Sequence, residues 1–358
     1  MINVTVPINS LGYGVVGRSL AKSFHLVGAE PALFPIGPID CPEGDIPLLQ
    51  KLVIRASGYD PKAPSFRLWH AWEMAHHPTR GMRTGATFFE LDRLRSEEVY
   101  QLNQLDLVFA FGAWAARVML HSGVTSTIQE IHCSVDADVF APRPLPEGET
   151  TVFVNAGKWE IRKGHDVLLS AFRKAFRPDD NVQLLMLCDN PFLSREEDAG
   201  WVKHYKNHSL SDKVTVVPRQ STHQGVAEVF AQAHCGVFPS RGEGWNMEAM
   251  ELLSMGRHVI ATAVTAHLDY MNSRNAMLVT PGPEEQAYDG KWFSGQGMWS
   301  SIPQTCIDEI ASRMREFHEN RLAGRVTRNE DGIQTCRSLT WESTALKIAG
   351  CLGVSCGL

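Results

Sequence analysis

Short apolar segments alternate with amphipathic segments of helical period along most of the chain. The apolar segments predict strands near residues 2–8, 31–36, 66–70, 85–90, 106–110, 151–156, 182–188, 213–218, 235–239, 258–262 and 276–280. The amphipathic segments predict helices near residues 15–27, 46–56, 96–104, 112–122, 165–176, 224–233, 246–255 and 305–322. Strands this apolar are typical of parallel sheets that have helices on both faces. The pattern therefore predicts an α/β fold.

One segment breaks the alternation near the middle of the chain. Residues 141–150 (APRPLPEGET) are polar, rich in proline and without periodicity, as expected of a linker. Because 358 residues exceed what one hydrophobic core usually organises, we expect two doubly wound domains, 1–145 and 146–335. Ligands of such domains bind at the carboxyl ends of the strands, and here we expect the cleft between the domains.

Composition excludes several classes of protein. No apolar run approaches the ~20 residues that span a bilayer, and no leader pattern is present, so we expect a cytoplasmic protein. The eight cysteines form no CxxC pair, which disfavours zinc ribbons and disulfide scaffolds. The net charge of −6 is shared equally between residues 1–148 and 149–358, so neither half is a basic nucleic-acid module.

The first predicted strand is followed by a glycine-rich loop. Gly12-Tyr13-Gly14-Val15-Val16-Gly17 matches GxGxxG at the start of a predicted helix, where backbone N–H groups can approach a phosphate. An NAD site is disfavoured, because the acidic residue expected about 20 residues later is missing: Glu30 is too early and Asp40 too late. Two interpretations of the loop stay open: it lies close to a phosphate or a sugar, or it is a tight turn that binds no ligand.

A basic loop follows the strand at 151–156. Lys158, Arg162 and Lys163 lie between Gly157 and Gly164, directly before a predicted helix. Cations at the end of a parallel strand and beside a helix N-terminus form an anion site. A solvated surface turn is the alternative.

The loop after the strand at 235–239 carries two notable carboxylates. Glu243 lies in a glycine-flanked loop, and Glu251 interrupts an otherwise apolar helical stretch. A carboxylate there needs a partner, because burying it alone is unfavourable by several kcal/mol. The hydroxyls of a ribose or a buried arginine would be such a partner. For Glu248, in the same stretch, a position facing solvent is the alternative.

Glu243 to Glu251 resembles the E-x7-E signature of the retaining glycosyltransferases of family GT4, the glycosyl transferases group 1. Lys158 and Lys163 match the paired basic positions of that family, and His70, at a strand end, resembles its acceptor-facing histidine. Asn246 and Glu248 depart from the family, which usually has glycine and proline at these positions.

The resemblance implies the GT-B fold, in which two Rossmann-like domains face each other across a cleft. It also implies that segment 336–358 forms a terminal helix, opening at Trp341, that crosses back to the first domain. The catalytic residues it implies are Glu243, His70 and Lys163. The donor-binding residues it implies are Gly12, Tyr13, Gly14, Lys158, Lys163, Gly244, Trp245, Asn246, Met247 and Glu251.

The activity implied is transfer of a sugar from a nucleotide-diphosphate donor to a hydroxyl acceptor, with retention of anomeric configuration. No cofactor and no metal is expected: Asp136-Ala137-Asp138 and His76-His77 are interpreted as loops. The acceptor stays open among glycans, small molecules, proteins and modified DNA bases. A sugar-nucleotide epimerase, a phosphorylase and a non-catalytic nucleotide-sugar binding protein are the alternatives.

Overall fold

A computed structural model describes residues 1–357, so residue 358 of the predicted terminal segment lies outside the described residues. Contacts divide the chain into a first unit, Met1–Asp136 with the segment from Leu339 onward, and a second unit, Ala137–Ser338. The first division therefore lies earlier than the predicted residue 145. Residues 137–145 are hydrogen-bonded within the second unit: Ser254 Oγ donates to the Phe140 carbonyl (2.9 Å) and Arg257 Nη1 to that of Pro144 (2.7 Å).

The first unit is built on one parallel sheet. Its strands are β1 (Ile2–Val6), β2 (Pro31–Pro35), β3 (Ser65–Leu68), β4 (Arg83–Thr87), β5 (Leu107–Phe111) and β6 (Thr127–Ile131), in the order β2-β1-β3-β4-β5-β6. Its helices before the division are α1 (Gly12–Leu26), α2 (Ile46–Ala56), α3 (Ser96–Leu102) and α4 (Gly112–His121). The direction of strand addition reverses between β1 and β3, so a crevice is expected at their carboxyl ends.

The second unit repeats this architecture. Its parallel strands are β7 (Thr151–Gly157), β8 (Val182–Cys188), β9 (Val214–Val216), β10 (Cys235–Phe238), β11 (His258–Thr262) and β12 (Met277–Val279), in the order β12-β11-β10-β7-β8-β9. The helices are α5 (His165–Ala175), α6 (Arg195–Lys206), α7 (His223–Ala231), α8 (Met247–Ser254), α9 (His267–Tyr270), α10 (Gln304–Leu322) and α11 (Glu330–Ser338). The order reverses between β7 and β10. These strands precede the basic loop (157–164) and the loop 239–246, which is called the signature loop below.

An antiparallel hairpin, β13 (Glu284–Tyr288) and β14 (Ser294–Ser300), was not expected from the sequence. The hairpin is hydrogen-bonded to the signature loop: the Ser300 N–H donates to the Arg241 carbonyl at 3.1 Å. The indole N–H of Trp299 donates to Glu285 at 3.0 Å, and the Arg241 guanidinium lies over the Trp299 ring.

The last helix, α12 (Trp341–Cys351), packs on α1 of the first unit. Trp341, Ala345 and Ile348 are buried on its inner face, and the Thr344 hydroxyl donates to the His132 carbonyl at 2.9 Å. Among residues 1–357, no helix is both long enough and apolar enough to cross a bilayer.

Candidate functional site

Two glycines bring the basic loop of the second unit against the signature loop. Gly164 has φ of +74°, and a Cβ there would lie 2.0 Å from the Pro239 carbonyl oxygen. Gly157 has φ of +132°, and a Cβ there would lie 3.0 Å from Lys163 carbons and 3.2 Å from Glu248 Oε1. Both positions combine left-handed backbone with close approach, which only glycine accommodates. The loops after β7 and β10 therefore meet at the point where the strand order reverses.

Arg162 is the buried centre of the site. Its Nη1 donates to Glu243 Oε2 and to the Gly242 carbonyl, both at 2.7 Å, while its Nη2 donates to Glu160 Oε2 at 2.7 Å. The side chains of Arg162, Glu160 and Glu243 are each 5% exposed. One guanidinium is thus shared by two buried carboxylates that belong to different loops.

Lys163 completes this network from the start of α5. Its Nζ donates to Glu243 Oε1 at 3.1 Å and lies 3.7 Å from Glu248 Oε2. The hydroxyl of Ser240 donates to the same Glu243 oxygen at 2.9 Å. Both oxygens of Glu243 therefore have protein partners, so its predicted contact with a donor sugar stays a prediction.

Charge pairing fixes the protonation of this pair. Burial alone raises the pKa of Glu243, but Arg162 and Lys163 outweigh burial and hold that pKa well below its usual range. Burial lowers the pKa of Lys163, and the carboxylates of Glu243 and Glu248 outweigh it, so that pKa is raised. Glu243 is therefore a carboxylate and Lys163 an ammonium at neutral pH.

Lys158 is the accessible cation of the loop. Its side chain is 43% exposed, and its Nζ pairs with Glu160 Oε1 at 2.8 Å and lies over the ring of Phe192. The exposed ammonium and the buried one of Lys163 belong to the same loop at the end of β7, and their binding of an anion stays a prediction.

The signature loop ends at an unusual helix start. Asn246 is the N-cap of α8 with φ of +74°, and its side-chain oxygen accepts from the Ala249 N–H at 3.2 Å. Its amide donates to His267 Nε2 at 2.8 Å, because His267 Nδ1 donates to the Thr262 carbonyl. Burial lowers the pKa of His267 and keeps it neutral. Left-handed backbone explains why asparagine serves where the resembling family has glycine.

We expect Asn246→Ala to lower the free energy of unfolding by about 2–3 kcal/mol, from the lost cap and the strained φ. Asn246→Gly relieves the strain and should lower it by less than half as much. Urea unfolding of both variants measures the difference. Equal losses would exclude backbone strain as the cause.

The other predicted donor-binding residues of this loop lie next to Asn246. Gly244 is buried, and Trp245 is buried with its ring stacked on Tyr270 at 5.1 Å. Met247 is half-buried at the first position of α8, where a backbone N–H has no intrahelical acceptor. Glu251 is buried on the inner face of α8, with 6% of its surface exposed.

The predicted residues of the first unit gather where its own strand order reverses. Gly12 is exposed at the start of α1, and a Cβ there would meet nothing within 4 Å. A Cβ on Gly14 would lie 2.2 Å from Asn9 Oδ1, so this glycine is required by helix packing. The Tyr13 ring lies 4.9 Å from the ring of His70, which stacks on Trp72 at 4.4 Å.

Tyr13 is fixed by its hydroxyl group. The hydroxyl accepts from the Phe88 N–H at 2.8 Å, donates to the Phe88 carbonyl at 3.1 Å and lies 3.1 Å from Thr87 Oγ1. Burial raises the pKa of Tyr13, so the phenol is neutral. This anchoring joins α1 to the end of β4.

Tyr13→Phe should lower the free energy of unfolding by about 1–3 kcal/mol, because the Phe88 N–H loses its acceptor. Tyr100→Phe is the control, since Tyr100 is 64% exposed. Chemical denaturation of both variants tests this, and equal effects would show that the hydroxyl network adds no stability.

The segment that carries His70 is held by buried groups. Arg67 donates from Nε to the Glu73 carbonyl at 3.0 Å and from Nη1 to the His76 carbonyl at 3.1 Å. Burial lowers the pKa of His77 to about 4, so its neutral ring donates to the Met74 carbonyl and accepts from Ser65. His77 is thereby part of the scaffold that orders this loop.

Several residues of the network were missed from the sequence. Arg162 was recognised only as one cation of three, although a neighbouring acidic residue, Glu160, signalled pairing. His165 was taken as the start of a helix. It accepts from the Glu160 N–H at 3.0 Å and donates to Asn155 Oδ1 at 2.8 Å, and burial lowers its pKa to about 3. His165 therefore holds the backbone of the basic loop in place through the Glu160 N–H.

Within residues 1–357, no group of three or more His, Cys, Asp and Glu side chains is arranged to hold a metal ion. The two buried carboxylates of the network, Glu160 and Glu243, both pair with Arg162. The cations and backbone N–H groups of these two loops suit an anion.

Known proteins resemble this chain in two ways. Residues 149–290 match the family model for glycosyl transferases group 1. D-inositol 3-phosphate glycosyltransferases from Mycolicibacterium smegmatis and Mycobacterium tuberculosis are 30% and 29% identical over 157 residues, or 41% of this chain. The match spans only about a third of those relatives, 35% and 31% of their lengths. The resemblance predicted from the sequence is confirmed for this segment.

Solved structures share the fold of the whole chain. Sucrose-phosphate synthase from Thermosynechococcus elongatus has a TM-score of 0.70 at 16% identity, covering 98% of this chain and 97% of that one. HepE from Anabaena, solved with UDP and glucose, has a TM-score of 0.68 at 13% identity, covering 99% of each chain. The predicted GT-B fold, with two Rossmann-like α/β units, is confirmed.

Proposed function

We propose that this chain is a glycosyltransferase that takes its sugar from a nucleotide-diphosphate donor. The observation that carries the proposal is the buried Lys163 ammonium at the β7–β10 reversal, beside the start of α8 and in one loop with the exposed Lys158. The group 1 match covers these residues. HepE, which has the same fold, was solved with UDP-glucose, which supports a donor of this class.

A diphosphate suits this arrangement. Helix N-termini present unpaired N–H groups and a partial positive charge, and ammonium groups add charge that needs no proton transfer. Negative charge grows on the diphosphate as the sugar–oxygen bond breaks. Cations held in place before the reaction stabilise that charge without reorganising.

The retaining course is part of the proposal. The bond from the anomeric carbon to the diphosphate oxygen breaks, and the bond to the acceptor oxygen forms on the same face. The acceptor proton passes to the departing phosphate oxygen, so no protein base is required. Lys163, Lys158 and the N–H groups of the signature loop stabilise the leaving group, and Glu251 holds the ribose.

Metal independence is part of the proposal, with Lys158 and Lys163 as the cations that contact the diphosphate. The acceptor is a hydroxyl compound. The group 1 relatives are named for D-inositol 3-phosphate. Arg95, which lies over the Trp72 ring, already pairs with Glu97 and Glu98, which does not favour a phosphorylated acceptor here. His70 remains the proposed acceptor-side residue, grouped with Tyr13 and Trp72.

A donor panel tests this proposal. UDP-, GDP-, ADP- and dTDP-sugars are scored by thermal shift and by hydrolysis, with EDTA present throughout. At least one donor should raise the unfolding temperature and be cleaved at its anomeric bond. A chain that neither binds nor cleaves any member is not a nucleotide-sugar enzyme.

A further inference from the structure

Lys163 has a second carboxylate partner besides Glu243. Glu248 lies at the second position of α8, and its Oε2 is 3.7 Å from Lys163 Nζ. Its Oε1 comes within 3.2 Å of where a Cβ of residue 157 would be, so Gly157 leaves room for it. The resembling family usually has proline at this position, which brings no charge.

Glu248 cancels the positive charge of the basic loop. Arg241 is engaged by Asp166 at 2.8 Å and lies 3.6 Å from Glu285, and His267 is neutral. The ion pairs that connect Glu248 to the basic loop join three cations and three carboxylates: Lys158, Arg162, Lys163, Glu160, Glu243 and Glu248. An incoming diphosphate therefore meets a cluster without net charge.

The two carboxylates on Lys163 differ in their freedom to leave. Glu243 is held by Arg162 and Ser240 and is 5% exposed as a side chain. Glu248 is 28% exposed, and its distance from Nζ exceeds that of a hydrogen bond. A turn of its side chain towards solvent leaves Lys163 with Glu243 as its carboxylate partner and does not break the Arg162 network.

We propose that Glu248 is a resident counter-ion of Lys163 that the donor diphosphate displaces, so that Glu248 weakens and thereby sets donor affinity. This inference rests on the proposed function. It assigns to Glu248 a role in donor selectivity. A singly charged anion gains too little from Lys163 to displace the carboxylate, whereas a diphosphate gains enough to displace it.

Isothermal titration of wild-type protein and Glu248→Gln tests the proposal, with pyrophosphate and UDP as probes. Glutamine keeps the shape and removes the charge, so the variant should bind both probes about tenfold more tightly at low salt and neutral pH. The advantage should shrink as salt rises, because dissolved ions screen the charge of the wild-type carboxylate. Both proteins are compared at the same pH, so titration of the probe cancels.

Glu196→Gln is the matched control, a glutamate in the first turn of α6 in the same unit, exposed to solvent. It should bind both probes as the wild type does. Equal or weaker binding by Glu248→Gln, with wild-type binding intact, overturns the counter-ion role and leaves the proposed function standing. Absence of binding of both probes by wild-type and variant proteins contradicts both.

Discussion

Replacing Lys163 with alanine should lower kcat/KM for the donor by a factor of about 10²–10³ while the chain still folds. The loss follows from the position of the ammonium, which is buried beside the start of α8 and is the group assigned to the diphosphate. Glu243 keeps Arg162 and Ser240 as partners in this variant, so its charge remains compensated. Donor turnover and circular dichroism, measured on the same preparation, separate catalysis from folding.

Lys174→Ala is the matched control for this variant. Lys174 lies in α5 of the same unit, is 51% exposed and pairs with Asp308 on the surface. Its removal should leave turnover unchanged. Wild-type turnover in Lys163→Ala would remove this residue from the phosphate site.

Arg162→Met should lower the free energy of unfolding by about 3–5 kcal/mol at neutral pH, because it leaves buried carboxylates without their shared cation. The loss is not larger because Glu160 still pairs with Lys158, and Glu243 still pairs with Lys163. The measurement is urea unfolding at several pH values. Arg313→Met is the control, since Arg313 is 39% exposed and pairs with surface glutamates, and it should change stability by less than about 1 kcal/mol.

The pH dependence of Arg162→Met has a defined sign. The folded-state pKa of Glu243 is depressed in the wild type, so its pairing stabilises the fold above the unfolded value of about 4.3. That contribution is lost as pH falls through the lower folded pKa. Without Arg162, burial favours the protonated acid, and the deficit of the variant should shrink as pH falls from 7 to 4. A deficit that does not change with pH would point to lost packing instead.

The strands that were predicted have short apolar runs, and the central ones are buried on both faces. β5 and β8 are almost wholly buried and were found within about two residues of their ends. β6 was missed because its sequence, TIQEI, is mostly polar and its residues Thr127 to Glu130 stay partly exposed. α6 was missed because only Tyr205 of its residues is buried, so it lacks an apolar stripe.

The site was predicted as separate pieces whose pairing needed three dimensions. Lys163 and Glu243 were identified on different loops, and the distance of 3.1 Å between them depends on Gly164 lying against Pro239. Nothing local distinguishes Arg162 from Lys158, yet one is buried and the other exposed. Asn246 stood out as a departure from glycine, and its left-handed backbone supplies the reason.

The measurement that tests the central claim most directly is donor turnover in the presence of EDTA, followed by release of the nucleoside diphosphate and by the mass of the acceptor. The wild-type chain should release one nucleoside diphosphate for each glycoside formed, and Lys163→Ala should release almost none. Absence of release from UDP-, GDP-, ADP- and dTDP-sugars across sugar, polyol, peptide and DNA acceptors would contradict the account. So would equal release by wild type and Lys163→Ala.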